Sequence, residues 1–287
     1  LDQDFKESME EYYLNGKFPL PSGTEIQYKE EDLKRIILIY SRALDFAEMI
    51  YTDLIRDLDR PVDFEISIDE VLTPTSPQDH FFVASELKKR DIIINSMAPR
   101  FCGEFQKGID YIGDIDQFEE EFKVHGEIAD QFGYKISIHS GSDKFSVFGL
   151  IGKYTDGRYH VKTAGTNWLE AVRTVAMVNP QLYREIHQYA LENLEEARKY
   201  YHVTMDLDKI PPLTELKDNQ LPKLMNQNDA RQLIHICYGL ILKAKDKDGS
   251  LLFKDRFYRT LINKEDDYAA RLKSHIGRHI ECLEDLI

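Results

Sequence analysis

The chain has 287 residues, of which 42% are apolar and 31% are charged, and this length can bury one large hydrophobic core or two smaller ones. Its 51 acidic and 37 basic residues give a formal net charge of −14, which disfavours nonspecific binding to nucleic acid or to an anionic membrane. No segment reaches the roughly 20 apolar residues of a membrane span. We therefore expect neither a nucleic-acid partner nor a membrane partner.

The cysteines and the N-terminal residues bear on the cellular setting. Cys102, Cys237 and Cys282 have no paired metal-type spacing, and one of the three must remain unpaired. We therefore expect a reducing, cytoplasmic environment. The first nine residues are acidic, do not begin with methionine and lack the basic and apolar regions of a signal peptide. These features lead us to expect that the chain begins inside a longer protein.

Helical and strand patterns alternate from about residue 30. Apolar residues at helical spacing predict a helix over residues 30–57. Residues 63–69 alternate strictly, with Phe64, Ile66 and Ile68 on one strand face and serine or acidic residues on the other. Ser76 and Pro77 are typical of a helix N-cap and first turn, and we expect that helix to end near residue 89.

Further strands and helices follow in the same alternation. We predict strands over residues 91–97, 135–139, 159–165 and 201–207, and helices over residues 116–131, 166–199 and from about 228 onward. Alternating strands and helices are typical of a parallel sheet covered by helices. Five strands are too few for an eight-stranded barrel, so we expect a TIM-barrel-like α/β fold whose first strands lie upstream. The alternative is an open doubly wound sheet, although the sequence lacks the Gly-x-Gly-x-x-Gly phosphate loop of that fold.

This fold predicts three regions of the chain. Residues 1–60 would form an N-terminal segment and helix, and residues 61–215 would form the βα units that carry the site. Residues 216–287 would form C-terminal helices that pack on the same barrel. Chemistry in such barrels lies at the C-terminal ends of the strands, so the candidate residues come from those positions.

His139 is the first candidate, because it stands at the end of a predicted strand and precedes the flexible turn Ser-Gly-Ser. Its imidazole could ligate a divalent metal, or it could be a hydrogen-bonded core histidine. His160 and Lys162 share a strand face and could line a common pocket. Lys144 and Lys162 could each hold a carboxylate or phosphate as a point charge, or lie on the surface.

Acidic and basic residues near two other strands complete the candidates. If the acidic face of residues 63–69 looks into a barrel, Glu65 could transfer protons and Asp69 could contact a substrate. Arg100 follows the next strand and suits carboxylate recognition, while His160, Glu104 or a residue outside this chain could complete a metal site. An ion pair that only braces the loop is the alternative for Arg100 and Glu104.

Three other histidines favour structural interpretations. His235 lies in an apolar helical segment and is interpreted as a packing residue. His275 and His279 are four residues apart, a spacing that can bind metal. Since the pattern supplies no third ligand, we interpret them as surface or subunit-contact residues in a possible homo-oligomer.

Several long strings carry a resemblance to a known family. They are FEISIDE at residues 64–70 with TPTSP at 73–77, APRFCGEF at 98–105 with KGIDY at 107–111, KISIHSGSDKFS at 135–146 and YHVKTAG at 159–165. In this order they resemble the tagaturonate epimerase family, and the likeness continues through RQLIH at 231–235. The resemblance implies a divalent-metal enzyme that interconverts tagaturonate and fructuronate, with His139 as a metal ligand and Glu65 as a proton-transferring acid. It also implies a further ligand and a proton acceptor upstream of this chain.

The implied reaction inverts a carbinol carbon that is not adjacent to the ketone, which suggests a retro-aldol route with the metal as a Lewis acid. Arg100, Lys144 or Lys162 would then hold the carboxylate of a hexuronate. Two alternatives remain open: a metal-dependent isomerase or aldolase of another acid sugar, and a non-catalytic fragment that binds sugar acids.

Overall fold

The computed structural model describes residues 3–284, together with the side chains of residues 8–163 and 165–284. A short antiparallel ribbon near the N-terminus pairs β1 (Phe18–Pro19) with β2 (Glu25–Ile26). The central sheet has four parallel strands in chain order, β3 (Glu65–Ile68), β4 (Ser96–Pro99), β5 (Lys135–Ile138) and β6 (Tyr159–Val161). The register places Glu65 opposite Ser96, and Ser137 opposite His160.

Helices connect and cover these strands. In chain order they are α1 (Gln3–Asn15), α2 (Glu30–Ile50), α3 (Pro77–Lys89), α4 (Ile115–Phe132), α5 (Phe145–Thr155), α6 (Ala164–Val178), α7 (Pro180–Glu192), α8 (Leu194–Arg198), α9 (Asn228–Ile236), α10 (Tyr238–Lys243), α11 (Lys254–Asn263) and α12 (Glu265–Glu284). A π-helical turn, Tyr51–Ile55, extends α2. Short 3₁₀ segments at Leu207–Lys209, Leu213–Glu215 and Asp218–Asn226 lead from α8 to α9.

Local sequence signals explain where α3 starts and where α4 starts and ends. Ser76 caps α3 by accepting a hydrogen bond from the Asp79 amide, while the Asp79 carboxylate accepts one from the Ser76 amide. Asp114 caps α4 in the same manner, accepting from the amides of Asp116 and Gln117. Gly133 ends α4 at a φ of 83°, a left-handed conformation that favours glycine. The predicted start of α3 and end of α4 are confirmed.

The strand predicted over residues 201–207 is wrong. Its amides bond to side chains of other segments instead of to a neighbouring strand. Thr204 donates to the Gln106 side chain and Asp206 donates to the Asp229 carboxylate. The strand predicted over residues 91–97 begins only at Ser96, because Asp91 adopts a φ of 54° in a turn that closes α3.

The sheet is open within residues 3–284, with β3 and β6 at its two edges. The parallel α/β arrangement is therefore confirmed, and closure into a barrel stays a prediction. No helix in the same residues combines the length and apolar character that a membrane span requires.

Two hydrophobic cores divide the molecule. We call residues 8–163 the sheet half, whose core includes Phe82, Phe118, Ile136 and Phe148. We call residues 165–263 the helical half, whose core is built from α6 to α11 and the segments between them. Helix α12 packs against α5 of the sheet half and α6 of the helical half, so it ties the two cores together.

Candidate active site

The Glu65 carboxylate is the centre of a polar network that spans all four parallel strands. Its Oε2 atom accepts hydrogen bonds from Ser96 Oγ at 2.6 Å and His160 Nδ1 at 2.9 Å. Its Oε1 atom lies 2.6 Å from Lys162 Nζ and 3.0 Å from His139 Nε2. The alternation along β3 and the parallel register bring these side chains to one face of the sheet.

His139 follows β5 directly and is oriented by Asp69. Its Nδ1 donates to Asp69 Oδ2 at 2.9 Å, so its Nε2 atom faces Glu65 and lies 2.8 Å from Lys162 Nζ. Neutral His139 accepts a hydrogen bond from Lys162 at Nε2, and protonated His139 donates one to Glu65. The imidazole is therefore placed to hold or release a proton at Nε2.

The charges of this network stabilise one another. Burial alone would raise the pKa of Glu65, but hydrogen bonds from Lys162, Ser96 and His139 outweigh it and hold that pKa far below its usual range. The pKa of Asp69 is likewise lowered, since hydrogen bonds from His139 and Ser67 exceed the effect of burial. The hydrogen bond to Asp69 raises the pKa of His139. The network thus pairs ionised carboxylates with cationic partners.

Two cavities flank His139 and Ser140. The first cavity, of about 210 Å³, is lined by residues that include Asp69, Arg100 and Glu104. The second cavity, of about 410 Å³, is lined by Lys107, Gly108, His139, Ser140, Ser142, Lys162, Gly165, Trp168, Tyr201, His235 and Tyr238. A bound molecule in either cavity would therefore meet His139.

Five of the predicted site residues come together in the Glu65 network: Glu65, Asp69, His139, His160 and Lys162. Arg100 and Glu104 instead line the first cavity. Arg100 donates to the Val71 carbonyl. Glu104 accepts from Gln106 Nε2 at 3.0 Å and lies 3.6 Å from His202 Nε2.

The contacts of Lys144 contradict the prediction that this residue holds a substrate carboxylate. Its side chain is fully buried. Its ammonium group donates to the carbonyls of Gln106 at 2.9 Å, Ile109 at 2.5 Å and Ser142 at 2.9 Å. Because these three acceptors use all of its hydrogens, Lys144 fixes the loops around the site and does not face a ligand.

The interpretation of His275 and His279 as surface or subunit-contact residues is also wrong. His279 is buried, and both rings contact Asp143, which supplies the third member that the sequence spacing did not reveal. His275 Nε2 lies 2.5 Å from Asp143 Oδ1, and the Asp143 amide donates to His279 Nε2 at 3.0 Å. One ligand atom of each residue lies within 4.8 Å of the other two, so this group could hold a metal ion.

Two neighbouring contacts compete with a metal ion at the Asp143 group. Arg231 donates to Asp143 Oδ2 at 2.5 Å and so neutralises the only carboxylate of the group. The His279 Nε2 lone pair already accepts from the Asp143 amide. The Glu65 network has a similar competitor, because the ammonium of Lys162 lies between His139 Nε2 and Glu65 Oε1. Among the described residues, only the Asp143 group brings three possible ligand atoms within 4.8 Å of one another.

Two residues that line the second cavity were not assigned there from sequence. Lys107 donates to Ser140 Oγ at 2.7 Å, and no periodicity distinguished it from a surface lysine. His235 was interpreted as a packing residue, and its ring packs against Gly165, where an added Cβ would lie 1.9 Å from His235 Nε2. Burial lowers the pKa of His235 to about 4, so its ring is neutral at pH 7.

Comparison with known proteins identifies relatives over nearly the whole chain. A family model for tagaturonate epimerase (UxaE) matches residues 1–283. The chain is 46% identical over 280 residues to tagaturonate/fructuronate epimerase of Thermotoga maritima, an alignment that covers 97% of this chain and 56% of that protein.

Solved structures of fructuronate-tagaturonate epimerase UxaE from Cohnella laeviribosi are similar to the fold described above. The native crystal structure and the complex with one glycerol each match at 59% identity with a TM-score of 0.96. Each alignment covers 99% of this chain and 58% of the solved chain. The chain thus spans little more than half the length of these relatives. On the strength of the family match and the identity to these proteins, the chain belongs to the tagaturonate epimerase family.

Proposed function

We propose that the intact protein carrying this chain interconverts D-tagaturonate and D-fructuronate. The observation that carries the proposal is the Glu65 network, in which one ionised carboxylate contacts a histidine that can hold a proton and a lysine that holds a charge. Family membership selects the substrate, since the relatives are named for this pair of sugar acids. The two cavities beside His139 would give such a substrate access to these groups.

A retro-aldol route suits the stereochemical change. A base takes the proton from the hydroxyl group of the carbon that inverts, the neighbouring C–C bond breaks, and its electron pair moves toward the ketone to give an enediolate and an aldehyde. The aldehyde turns, the C–C bond re-forms on its other face, and the proton returns to the oxygen. No hydrogen bonded to carbon is exchanged at the inverted centre.

Glu65 would move the proton in this route. It is ionised at neutral pH, because its pKa is far below the usual range, so it is in the form that can accept a proton. Loss of the hydrogen bonds from Lys162 and His139 when a substrate binds would raise its basicity. Lys162 would stabilise negative charge beside Glu65 and His139.

A divalent cation in this network would have to displace the Lys162 ammonium from His139 Nε2 and Glu65 Oε1. Asp69 fixes the Nδ1–H of His139, so Nε2 is the atom that would bind the cation, with His160 as a further ligand. A bound cation would supply Lewis-acid stabilisation of negative charge on substrate oxygens. Glu104 lies in the first cavity with Gln106 and His202, so we leave it out of this ligand set.

A Cohnella laeviribosi relative has been solved in complexes with one and with two glycerol molecules. Binding of a polyol to that protein supports a polyhydroxylated ligand for this one.

The direct test is to incubate the intact protein with tagaturonate and to follow fructuronate by chromatography, before and after chelation and after addition of single divalent metals. We expect conversion in both directions, loss on chelation and recovery with metal. In deuterated water the inverted carbon should carry no deuterium. Incorporation there would overturn the retro-aldol route, and conversion of only a different acid sugar would overturn the choice of substrate.

A further inference from the structure

We propose that the second cavity binds the carboxylate end of the sugar acid, with Lys107 as the residue that recognises the anion. This inference rests on the proposed function and assigns a place in the structure to the charged end of its substrate. Three observations support it: the charge of the cavity wall, the hydrogen bonding of Lys107 and the aromatic side chains that line the same cavity.

The wall of the second cavity carries positive charge and, among the described residues, no carboxylate. Its titratable side chains are Lys107, Lys162, His139, His235 and two tyrosines. This is unusual in a chain with 51 acidic residues. The first cavity, in contrast, includes Asp69 and Glu104 in its wall. A ligand that meets both cavities would therefore direct its anionic end into the second one.

Lys107 is the cation of this wall that has hydrogen-bond donors left for a bound anion. Within residues 3–284 it makes no ion pair, and its one side-chain hydrogen bond goes to Ser140 Oγ at 2.7 Å. Lys162 is already engaged by Glu65 and His139. Since an ammonium group has three hydrogens, Lys107 keeps two for a ligand while Ser140 fixes its position one residue from His139.

The second cavity also has a lining suited to the carbon chain of a sugar. Trp168, Tyr201 and Tyr238 contribute aromatic surface, and the neutral ring of His235 adds no charge. Pockets that combine a broad apolar wall with a few placed polar groups bind small ligands in a fixed orientation. The C–H groups of the sugar acid would lie against the aromatic side, and its carboxylate would meet Lys107.

The test compares an anion with its neutral counterpart. D-gluconate and D-glucitol have the same six-carbon chain and differ in the carboxylate, so their dissociation constants can be measured by calorimetry on the intact protein. We expect Lys107→Met to weaken gluconate binding roughly 10- to 100-fold, the value of a charge-assisted hydrogen bond, and to leave glucitol binding unchanged. Lys107→Arg should keep the preference for the anion.

Two further variants serve as controls. Lys153→Met removes a lysine that contacts Glu119 away from both cavities and should change neither constant. Arg100→Met tests the rival site in the first cavity. The fluorescence of Trp168, which lines the second cavity, should respond to gluconate, and the part of the response that Trp168→Phe removes reports binding there.

The inference is overturned if Lys107→Met weakens both ligands equally, if only Arg100→Met shows the anion-specific loss, or if the wild-type protein does not prefer gluconate to glucitol. Failure of the proposed function would look different. In that case the protein would not convert tagaturonate, yet Lys107→Met would still lose the preference for gluconate.

Discussion

The sheet half and the helical half contribute different chemistry to the cavity between them. From the sheet half come Lys107, His139 and Lys162, which belong to charged, hydrogen-bonded networks at or beyond the strands. The helical half contributes Trp168 and His235, an aromatic surface and a ring kept neutral by burial. Under the two proposals above, proton transfer and anion binding would both belong to the sheet half, while the helical half would supply the shape of the cavity.

A second contrast concerns how the halves are joined. Asp143, just after β5, accepts a hydrogen bond from Arg231 of α9, and both His275 and His279 of α12 contact it. Arg231 also donates to the carbonyls of Gly108 and Met225 at 2.7 Å. This buried cluster therefore links residues of both halves to α12.

The largest expected effect tests whether the chemistry belongs to the sheet half. Glu65→Gln keeps the size of the side chain but removes the base, and we expect kcat for tagaturonate to fall roughly 10²- to 10⁴-fold. The matched control is Glu119→Gln, which alters a carboxylate on α4 that contacts Lys153 and Tyr154. Activity of the Glu65 variant within threefold of the wild type would contradict the assignment.

The next effect tests the junction between the halves. Arg231→Met leaves Asp143 buried without its guanidinium partner, and we expect the free energy of unfolding to fall by about 3–5 kcal/mol, measured by urea denaturation. The double variant Arg231→Met/Asp143→Asn should recover part of the loss, because it also removes the unpaired charge. A loss below about 1 kcal/mol would show that the cluster does not hold the halves together.

The next prediction concerns how the stability of the two cores depends on pH through their buried histidines. Burial lowers the pKa of His125 in the sheet half and of His187 in the helical half to about 4, and it lowers that of His80 as well. These rings stay neutral when folded, whereas the unfolded chain binds protons below its ordinary histidine pKa of about 6.5. Their contribution to stability is complete above that pH and is lost as the pH falls toward about 4.

Urea midpoints measured from pH 7 to pH 4.5 would check this expectation. His187→Leu should reduce the loss of stability over that range, because it removes one of the buried rings. An identical pH dependence for His187→Leu and the wild type would mean that this ring is not kept neutral by the fold.

The smallest change in stability is expected when an exposed ion pair on the surface is removed. Lys153→Met removes an exposed ion pair with Glu119 within the sheet half, and exposed pairs contribute little to stability because water screens them. Its urea midpoint should therefore lie close to that of the wild type. If Lys153→Met lowered stability as much as Arg231→Met does, the buried Asp143 cluster would be no more important for stability than a surface ion pair.

Much of the candidate site was predictable because neighbouring parallel strands bring their side chains to one sheet face. The alternation of residues 63–69 and the position of His139 after its strand were sufficient to propose Glu65, Asp69 and His139 as site residues, and the structure places them in contact. Helix ends were predictable for a similar reason, since Ser76 and Gly133 act through contacts within a few residues.

The sequence by itself determined the order of the βα units, the helix caps and the row of polar residues around Glu65, because these depend on interactions along or between adjacent strands. Only the tertiary structure decided that Lys144 donates its hydrogens to three backbone carbonyls and that Lys107 lines a cavity. It also decided that Asp143 contacts His275 and His279, which lie more than 130 residues away in sequence. The physical reason is that a buried polar group takes its partners from whichever segments pack around it, and those segments are distant in sequence.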